Sequence, residues 1–237
     1  MSASAQNPHR ASKAIPVIAI DGPVGSGKGT ISTQLAARLQ WHLMDSGALY
    51  RLIAIAALDA GTDPDDQDAL TAIATKLDFE FRQCDGESIP YLSGRNVSGR
   101  LRSELVSNMA SRVAAITTVR AAMIERQRGF ARPPGLVADG RDMGTVIFPH
   151  ANLKVFLTAS VETRALRRYK QLKEKGENVN LSRLFTEIEA RDARDQTRSV
   201  APLRPADDAV IIDSTESSIK EVLERIYKLV EERSITS

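Results

Sequence analysis

The sequence predicts an α/β fold: a five-stranded, parallel, doubly wound sheet with helices on both faces. Two observations support this prediction. Five short apolar runs alternate with segments whose apolar residues recur at helical spacing, and a glycine-rich turn joins the first run to the first of these segments. At 237 residues, the chain is long enough for one domain that carries insertions. In a sheet of this kind, ligands bind beyond the carboxyl ends of the strands.

The predicted strands and helices alternate along the chain. Apolar residues every three or four positions, such as Leu70, Ile73 and Leu77, indicate the helices, and glycine or proline ends them. Core strands are predicted over residues 16–21, 42–44, 136–139, 154–157 and 210–213, and helices over residues 28–40, 48–60, 66–77, 103–115, 118–130, 161–175, 181–194 and 217–232.

The pattern differs over residues 78–98. Alternation in Phe79-Glu80-Phe81 and a short apolar run from Ile89 to Leu92 predict two strands. A turn is predicted at Ser93-Gly94-Arg95-Asn96, and a third strand is predicted to begin at Val97. The segment is therefore expected to be a small antiparallel β insert among the helices.

Composition narrows the class of protein. The 32 basic and 30 acidic residues give a net charge of +2, so the overall charge does not support nucleic-acid binding. The single cysteine, Cys84, excludes an internal disulfide and a cysteine-based metal cluster. No apolar run approaches the roughly 20 residues of a membrane span. The polar stretch at residues 1–14 has no apolar core and predicts a disordered leader. We therefore expect a cytoplasmic monomer with no membrane partner.

The glycine-rich turn has the spacing of a phosphate-binding P-loop. Such a turn points backbone N–H groups at one spot, where the helix dipole adds positive potential. Lys28 would supply a charge for the β- and γ-phosphates, and the next hydroxyl would face Mg²⁺. Gly29 stands where Ser or Thr is usual, so that hydroxyl belongs to Thr30. The alternative is a plain glycine turn with a solvated lysine. The strand before it and the helix after it favour a site for ATP formed by Gly22, Pro23, Val24, Gly25, Ser26, Gly27, Lys28, Gly29 and Thr30.

Polar residues follow the predicted core strands. An aspartate that ends an apolar strand in a P-loop protein is the usual carboxylate on the Mg²⁺ side. Asp139 fits that role, directly or through water, although it could instead cap the next loop. The planar guanidinium group of Arg141 has paired N–H donors that suit a phosphate. The carboxylate of Asp142 can accept a hydrogen bond from a donor such as an exocyclic amine. The alternative for this adjacent pair is a local salt bridge on a surface turn.

A dense run of charge extends from Arg191 to Arg198. In most proteins such a run is a solvated helix face with ion pairs along it. A phosphoryl-transfer enzyme, however, needs mobile cations that close over the transferring group. The residues alone do not decide between these interpretations. The cations of such a hinged helix pair would be Arg164, Arg167, Arg168, Arg191, Arg194 and Arg198.

Four blocks of sequence together resemble the bacterial cytidylate kinases, and the resemblance runs from about Ile15 to the end of the chain. It implies a P-loop kinase that transfers the γ-phosphoryl group of ATP to CMP or dCMP with Mg²⁺. Gly29 is normal in nucleoside monophosphate kinases. The blocks are Asp21-Gly22-Pro23 with Gly27-Lys28-Gly29-Thr30, the stretch from Asp45 to Arg51, the stretch from Ala138 to Thr145, and the stretch from Arg191 to Leu203.

The resemblance also implies roles for single residues. Those of Ser111 and Arg120 rest on it entirely. It implies one domain over residues 15–237, with a monophosphate-binding insert at about 46–130 and a lid at about 163–200. By position, Ser111, Arg120 and Asp142 would read cytosine, Ser46 and Tyr50 would lie in the monophosphate pocket, Arg51, Arg141, Arg191 and Arg198 would grip the acceptor phosphate, and Asp195 would contact the ribose. The predicted catalytic residues are Lys28, Asp139, Arg141, Arg191 and Arg198, and the predicted metal-side residues are Thr30 and Asp139.

Other functions fit the sequence less well. A kinase of another small acceptor, such as UMP, AMP or shikimate, is the nearest alternative. A GTPase would need an Asn-Lys-x-Asp segment to read guanine, and the sequence has none. A nucleotide-dependent nucleic-acid binder would be expected to have an aromatic-rich basic stripe, which is also missing. We therefore expect small-molecule nucleotides as the binding partners.

Overall fold

The computed structural model describes residues 14–84, 87–101, 103–174 and 176–236. Most of the predicted leader lies outside these residues. The strands are β1 (Val17–Asp21), β2 (His42–Asp45), β3 (Phe79–Cys84), β4 (Glu87–Leu92), β5 (Arg95–Asn96), β6 (Leu136–Gly140), β7 (Leu153–Thr158) and β8 (Val210–Asp213). The helices are α1 (Lys28–Leu39), α2 (Ser46–Asp59), α3 (Gln67–Lys76), α4 (Ser98–Leu101), α5 (Glu104–Val113), α6 (Thr117–Arg128), α7 (Val161–Glu174), α8 (Leu181–Thr197) and α9 (Ile219–Glu232).

The central sheet confirms the predicted fold class. Its strand order is β2-β6-β1-β7-β8, and every pair of neighbours is parallel. All five residues of β1, at the middle of the sheet, are buried. Because successive side chains of a strand point to opposite faces, β1 contributes to two cores. Val17 and Ala19 pack in one core and Ile18 and Ile20 in the other.

Helices cover both faces of the sheet, as predicted. The core on the Val17 face includes buried residues of α2, α3, α5 and α6, for example Leu52, Leu70 and Met123. The core on the Ile18 face includes buried residues of α1 and α9, such as Leu35. Burial of apolar surface against both faces explains why the strands are almost continuously apolar.

The β insert is present, with one correction. Strands β3, β4 and β5 form an antiparallel sheet. The third strand is Arg95–Asn96, so the prediction that it begins at Val97 is wrong. The Asn96 Oδ1 accepts hydrogen bonds from Ser98 N (2.9 Å) and Ser98 Oγ (2.7 Å), and these turn the chain into the short helix α4. Val97 is buried in the core.

A π-helical turn, Met143–Ile147, follows β6 and was not predicted. The N–H of Ile147 donates to the Asp142 carbonyl over 3.2 Å, and the N–H of Phe148 donates to the Met143 carbonyl over 2.7 Å. Both bonds span five residues, as in a π-helix. Such turns are frequent at functional sites, and this one begins directly after Asp142.

The described helices include none with both the length and the apolar character needed to cross a lipid bilayer.

Candidate active site

A cavity of about 200 Å³ lies at the carboxyl ends of β2 and β6, beside the glycine-rich turn. Its position agrees with the rule for ligand sites in parallel sheets. Its wall is rich in charged groups, which come from α1, β2, α2, α6, β6 and α8 and from the turns that follow β6 and α8. The lining residues are Val24, Gly25, Lys28, Gly29, Asp45, Ser46, Gly47, Tyr50, Arg51, Ala110, Ser111, Ala114, Arg120, Asp139, Gly140, Arg141, Asp142, Arg191, Asp195 and Arg198.

The glycine-rich turn has a backbone that only glycine adopts readily. Gly25 and Gly27 have φ of +79° and +93°. Gly22 has φ of +151°, and a Cβ placed on it would lie 2.0 Å from the Leu157 carbonyl oxygen, so the turn passes against β7 with no room for a side chain. The Ser26 Oγ donates to the Pro23 carbonyl over 3.1 Å and closes the turn. The turn is therefore a rigid cradle that leads into α1.

Lys28 and Asp139 are two buried groups of opposite charge beside this cradle. Lys28 is 6% exposed, and its Nζ donates to the Pro23 carbonyl over 2.9 Å. Burial, followed by the charge of Arg141, lowers the pKa of Lys28, and Asp139 partly offsets this. Burial raises the pKa of Asp139, and the charge of Lys28 opposes that shift. The plain alternative of a solvated lysine is therefore wrong.

Asp142 and Arg120 form a second buried pair at another part of the wall. Asp142 is 3% and Arg120 4% exposed. The Arg120 Nη2 donates to Asp142 Oδ2, and its Nη1 donates to the Tyr50 hydroxyl (3.3 Å) and the Ala114 carbonyl (3.2 Å). Arg198 lies on the other side of Asp142, with 3.7 Å between its Nη2 and Asp142 Oδ1. Burial raises the pKa of Asp142, and Arg120 and Arg198 oppose this.

Arg141 pairs with the charged segment of α8 and not with its neighbour Asp142. Its Nε donates to Asp195 Oδ2 over 3.0 Å. The alternative of a local salt bridge between adjacent residues on a surface turn is therefore wrong. Arg191, on the same helix, faces Arg141, and burial with this like charge lowers the pKa of Arg191 to about 10. An anion between these guanidinium groups would relieve their repulsion.

Three buried polar atoms on the cavity wall have no hydrogen-bond partner in the described part of the chain. They are Ser111 Oγ, Arg191 Nε and Arg198 Nη2. Buried donors without partners are rare because each costs about 1–3 kcal/mol. All three belong to residues that line the cavity, and this indicates a ligand with several acceptors.

The six arginines predicted for the hinged helix pair divide into three groups, and Arg168, like Arg194, donates a hydrogen bond within its own helix. Arg191 and Arg198 line the cavity, so the interpretation of the whole charged run as a solvated face is wrong. Arg194 is exposed and donates to its own helix. Arg164 and Arg167 hold the fold together and do not line the cavity. Arg164 donates to the Val24 and Ala159 carbonyls and pairs with Asp192, and Arg167 bonds to Ser214.

The structure gathers most of the predicted site residues. Those that do not line the cavity are Gly22, Pro23, Ser26, Gly27 and Thr30, all in the glycine-rich turn or the first turn of α1. Thr30 is exposed. Sequence reasoning assigned no site role to Asp45 or Gly140, which both line the cavity. Asp45 ends β2 and directly precedes α2, which is a signal for an N-cap, and its Oδ1 accepts from Ala48 N over 3.0 Å.

Comparisons with known proteins agree with this geometry. A family model described as cytidylate kinase matches residues 18–232. The chain is similar to the cytidylate kinase of Methylococcus capsulatus (strain Bath), with 54% identity over 92% of this chain and 97% of that protein. It is 55% identical to the cytidylate kinase of Pseudomonas aeruginosa (strain PAO1), over 91% of this chain and 95% of that protein.

A crystal structure of an uncharacterised protein from Eubacterium ventriosum has a similar fold, with a TM-score of 0.51. The sequence identity is 14%, and the match covers 91% of this chain and 98% of that one. At this identity the likeness concerns the fold alone. The family itself is given by the sequence matches, which extend over nearly the whole chain: this protein belongs to the cytidylate kinase family.

Proposed function

We propose that the cavity holds CMP or dCMP with its phosphate turned toward the glycine-rich turn, where ATP binds. As a member of the cytidylate kinase family, the protein is an ATP-dependent kinase that forms CDP or dCDP and ADP. The assignment of the site rests on the residues that form the cavity wall. The wall joins a cradle for ATP phosphates to a ring of arginines and a buried Asp142.

The acceptor phosphate is assigned to Arg51, Arg141 and Arg191. These side chains line the cavity, and burial together with the like charge of Arg141 lowers the pKa of Arg191 to about 10. Guanidinium groups bind phosphate through paired N–H donors and hold it in a fixed orientation. A nucleotide phosphate is already an anionic nucleophile, so the reaction needs correct orientation of its oxygen and no general base.

The base is assigned to the wall formed by Asp142, Arg120 and Ser111. Cytosine offers one exocyclic amine as a donor and ring acceptors beside it. Asp142 can accept from the amine, and Arg120 and the unpartnered Ser111 hydroxyl can donate to the acceptors. Uracil has a carbonyl where cytosine has the amine, and that carbonyl would face the Asp142 carboxylate. Asp195, 7% exposed and bonded to Arg141, is assigned to the ribose, since a carboxylate can accept from a hydroxyl.

The transferring phosphoryl group is assigned to the space between Lys28 and the arginines of α8. Phosphoryl transfer requires little covalent chemistry from the protein, so positioning and charge neutralisation determine the rate. Lys28 and the N–H groups of the turn hold the ATP phosphates. Arg191 and Arg198 neutralise charge from the other side. We propose that α7 and α8 act as a lid that excludes water from this space.

Asp139 and Thr30 are the residues assigned to the Mg²⁺ side. No cluster of three His, Cys, Asp or Glu side chains suited to a metal occurs among the described residues. Mg²⁺ commonly binds through one carboxylate, substrate phosphates and water, and the single carboxylate of Asp139 fits this donor set. Its Oδ2 would lie 3.6 Å from a Cβ on Gly29, at the entrance of the cradle. The ion would neutralise charge on the ATP phosphates.

The experiment that tests the proposal is a coupled assay of ADP release with ATP and Mg²⁺. CMP, dCMP, UMP, AMP and shikimate are compared at the same concentrations. We expect strong turnover with CMP or dCMP and little with AMP or shikimate. Strong turnover with UMP equal to that with CMP would contradict the role of Asp142 as a reader of the amine. No turnover with either cytidine nucleotide would overturn the assignment of the acceptor.

A further inference from the structure

Asp21 is a buried carboxylate whose role is not explained by phosphate or base binding. It is the last residue of β1, directly before the glycine-rich turn, and is 5% exposed. Its Oδ1 accepts from the N–H of Met143 and its Oδ2 accepts from the N–H of Gly144, each over 2.8 Å. Both oxygens are therefore used to hold a segment more than 100 residues away in the sequence.

No cation neutralises Asp21 within the part of the chain that the structure describes. Burial raises its pKa to about 7, the two backbone hydrogen bonds oppose this, and the charges of Asp142 and Asp139 add to it. A buried carboxylate without an ion pair is costly, and the two backbone hydrogen bonds offset only part of that cost. Stability alone therefore does not explain the carboxylate at this position. The position of the two N–H groups that it binds indicates its role.

The two N–H groups belong to Met143 and Gly144, the first two residues of the π-helical turn that begins directly after Asp142. The Asp142 carbonyl accepts from Val146 N (2.9 Å) and Ile147 N (3.2 Å) of the same turn. The peptide that joins Asp142 to Met143 is therefore held on both sides, by the turn at its C=O and by Asp21 at its N–H. Together these contacts fix the backbone from which the Asp142 side chain extends toward Arg120.

The π-helical turn is closely packed around Gly144, so it has little freedom to move away from Asp21. A Cβ on Gly144 would lie 3.1 Å from Lys154 Cδ and 3.4 Å from Asp21 Oδ2. Lys154 is itself 7% exposed, and its Nζ pairs with Asp208 over 2.8 Å. The turn is therefore packed between the Asp21 carboxylate and the stem of Lys154, and a small change at either contact would displace it.

We infer that Asp21 is a positioning residue for the acceptor nucleotide, which acts by fixing the backbone of the Arg141-Asp142 segment from the end of the ATP-site strand. The inference rests on the proposed function, since it assigns the base to Asp142. It links the two nucleotide sites through one side chain: the strand that leads into the ATP cradle also sets the position of the group that reads the acceptor.

The test is Asp21→Asn, which keeps the shape of the side chain but places an amide NH₂ against one of the two N–H groups. We expect the KM for CMP to rise about tenfold, because small displacements of binding groups are costly. The KM for ATP should change less than about twofold, because the cradle itself is intact. Titration calorimetry with CMP alone should show the same loss of affinity without any turnover.

A matched control is Asp66→Asn, which changes another carboxylate that accepts from a backbone N–H, that of Ala69 over 2.9 Å, and that does not line the cavity. Its KM values should equal those of the unmodified protein. If Asp21→Asn does not fold, Gly144→Ala perturbs the same contact without changing charge and should also raise the KM for CMP selectively. Unchanged KM for CMP in a folded Asp21→Asn, or equal increases for both nucleotides, would overturn the inference. Failure of the proposed function differs, because the unmodified protein would then not phosphorylate CMP.

Discussion

At the scale of single residues, Lys28 shows how the fold prepares a cation for phosphate. Its ammonium group is buried, bonded to the Pro23 carbonyl and balanced by Asp139. Lys28→Ala removes charge stabilisation at the transferring group, so we expect kcat to fall by roughly 10²- to 10³-fold with the fold intact. Circular dichroism and the coupled assay measure the two properties.

The control for this variant is Lys220→Ala, which removes an exposed lysine outside the cavity. It should leave kcat unchanged. Near-normal turnover of Lys28→Ala would show that the phosphate site is wrongly assigned.

A substitution at Asp142 should affect the binding of CMP and of ATP differently. Asp142 lies between Arg120 and Arg198 at the part of the wall assigned to the base. Asp142→Asn keeps the side-chain volume but replaces one acceptor by a donor, which would face the amine of cytosine. We expect the KM for CMP to rise at least about tenfold, with little change in the KM for ATP, because an unpaired polar contact costs about 1–3 kcal/mol. Steady-state kinetics with each nucleotide varied in turn provides the measurement.

A selective gain for UMP would strengthen this assignment, because the amide could donate to the carbonyl of uracil. Equal increases in KM for CMP and ATP would contradict it. The same measurements distinguish the two variants. Asp142→Asn should raise the KM for CMP, whereas Lys28→Ala should reduce kcat.

At the scale of helices and strands, the sequence predicted what local pattern determines. The apolar run of β1 and the helical spacing of α1 gave the correct element types, with ends within one residue. The helix α2 begins at Ser46, two residues before the predicted start, because Asp45 caps it. The helix α8 extends to Thr197 because no glycine or proline interrupts it there.

What the sequence did not reveal depends on contacts between distant segments. Nothing near Met143 indicates a π-helical turn, since Asp21 supplies its capping acceptor from a strand 122 residues away. Ser111 and Arg120 lie on α5 and α6 without a local motif, and only the fold brings them to the cavity. Their roles could be predicted from family resemblance but not from spacing.

The ion pair between α7 and α8 gives a prediction at this scale. Arg164 and Asp192 have side-chain exposures of 4% and 12%, with 2.6 Å between Arg164 Nη2 and Asp192 Oδ2. Arg164 also donates to the Val24 carbonyl of the glycine-rich turn over 3.1 Å. Asp192→Asn leaves a buried guanidinium without its carboxylate, so we expect a loss of about 3 kcal/mol in the free energy of unfolding, measured by urea denaturation.

The matched control is Glu187→Gln on the same helix. Glu187 pairs with Arg183, and the two side chains are 40% and 66% exposed. Its removal should cost less than about 1 kcal/mol, since exposed pairs are weak. Similar losses for the two variants would show that the buried pair does not hold the two helices together.

At the scale of the whole molecule, β1 is the element on which the two cores and the two nucleotide sites meet. Its side chains enter both cores, its end leads into the ATP cradle, and Asp21 reaches across to the acceptor side. The fold therefore places at its centre a buried carboxylate that forms no ion pair with the described residues. Such a group makes the stability of the whole protein depend on pH in a way that can be isolated.

The last prediction concerns that dependence. The folded-state pKa of Asp21 is raised from 3.8 to about 7, so the folded protein binds its proton more tightly than the unfolded chain does. The contribution of Asp21 to stability is therefore fully present below pH 3.8 and is lost as the pH rises to about 7. Urea denaturation should be measured from pH 4 to well above the folded-state pKa of Asp21. The free energy of unfolding of the unmodified protein should fall relative to that of Asp21→Asn as the pH rises to about 7, and the difference should be constant at higher pH. Asp213→Asn is the control, since hydrogen bonds from Thr215 lower the pKa of this exposed carboxyl, and its difference should be flat above pH 4. Parallel profiles for Asp21→Asn and the unmodified protein would mean that the carboxylate is neutralised in solution, and that its position at the centre of the fold has no electrostatic cost.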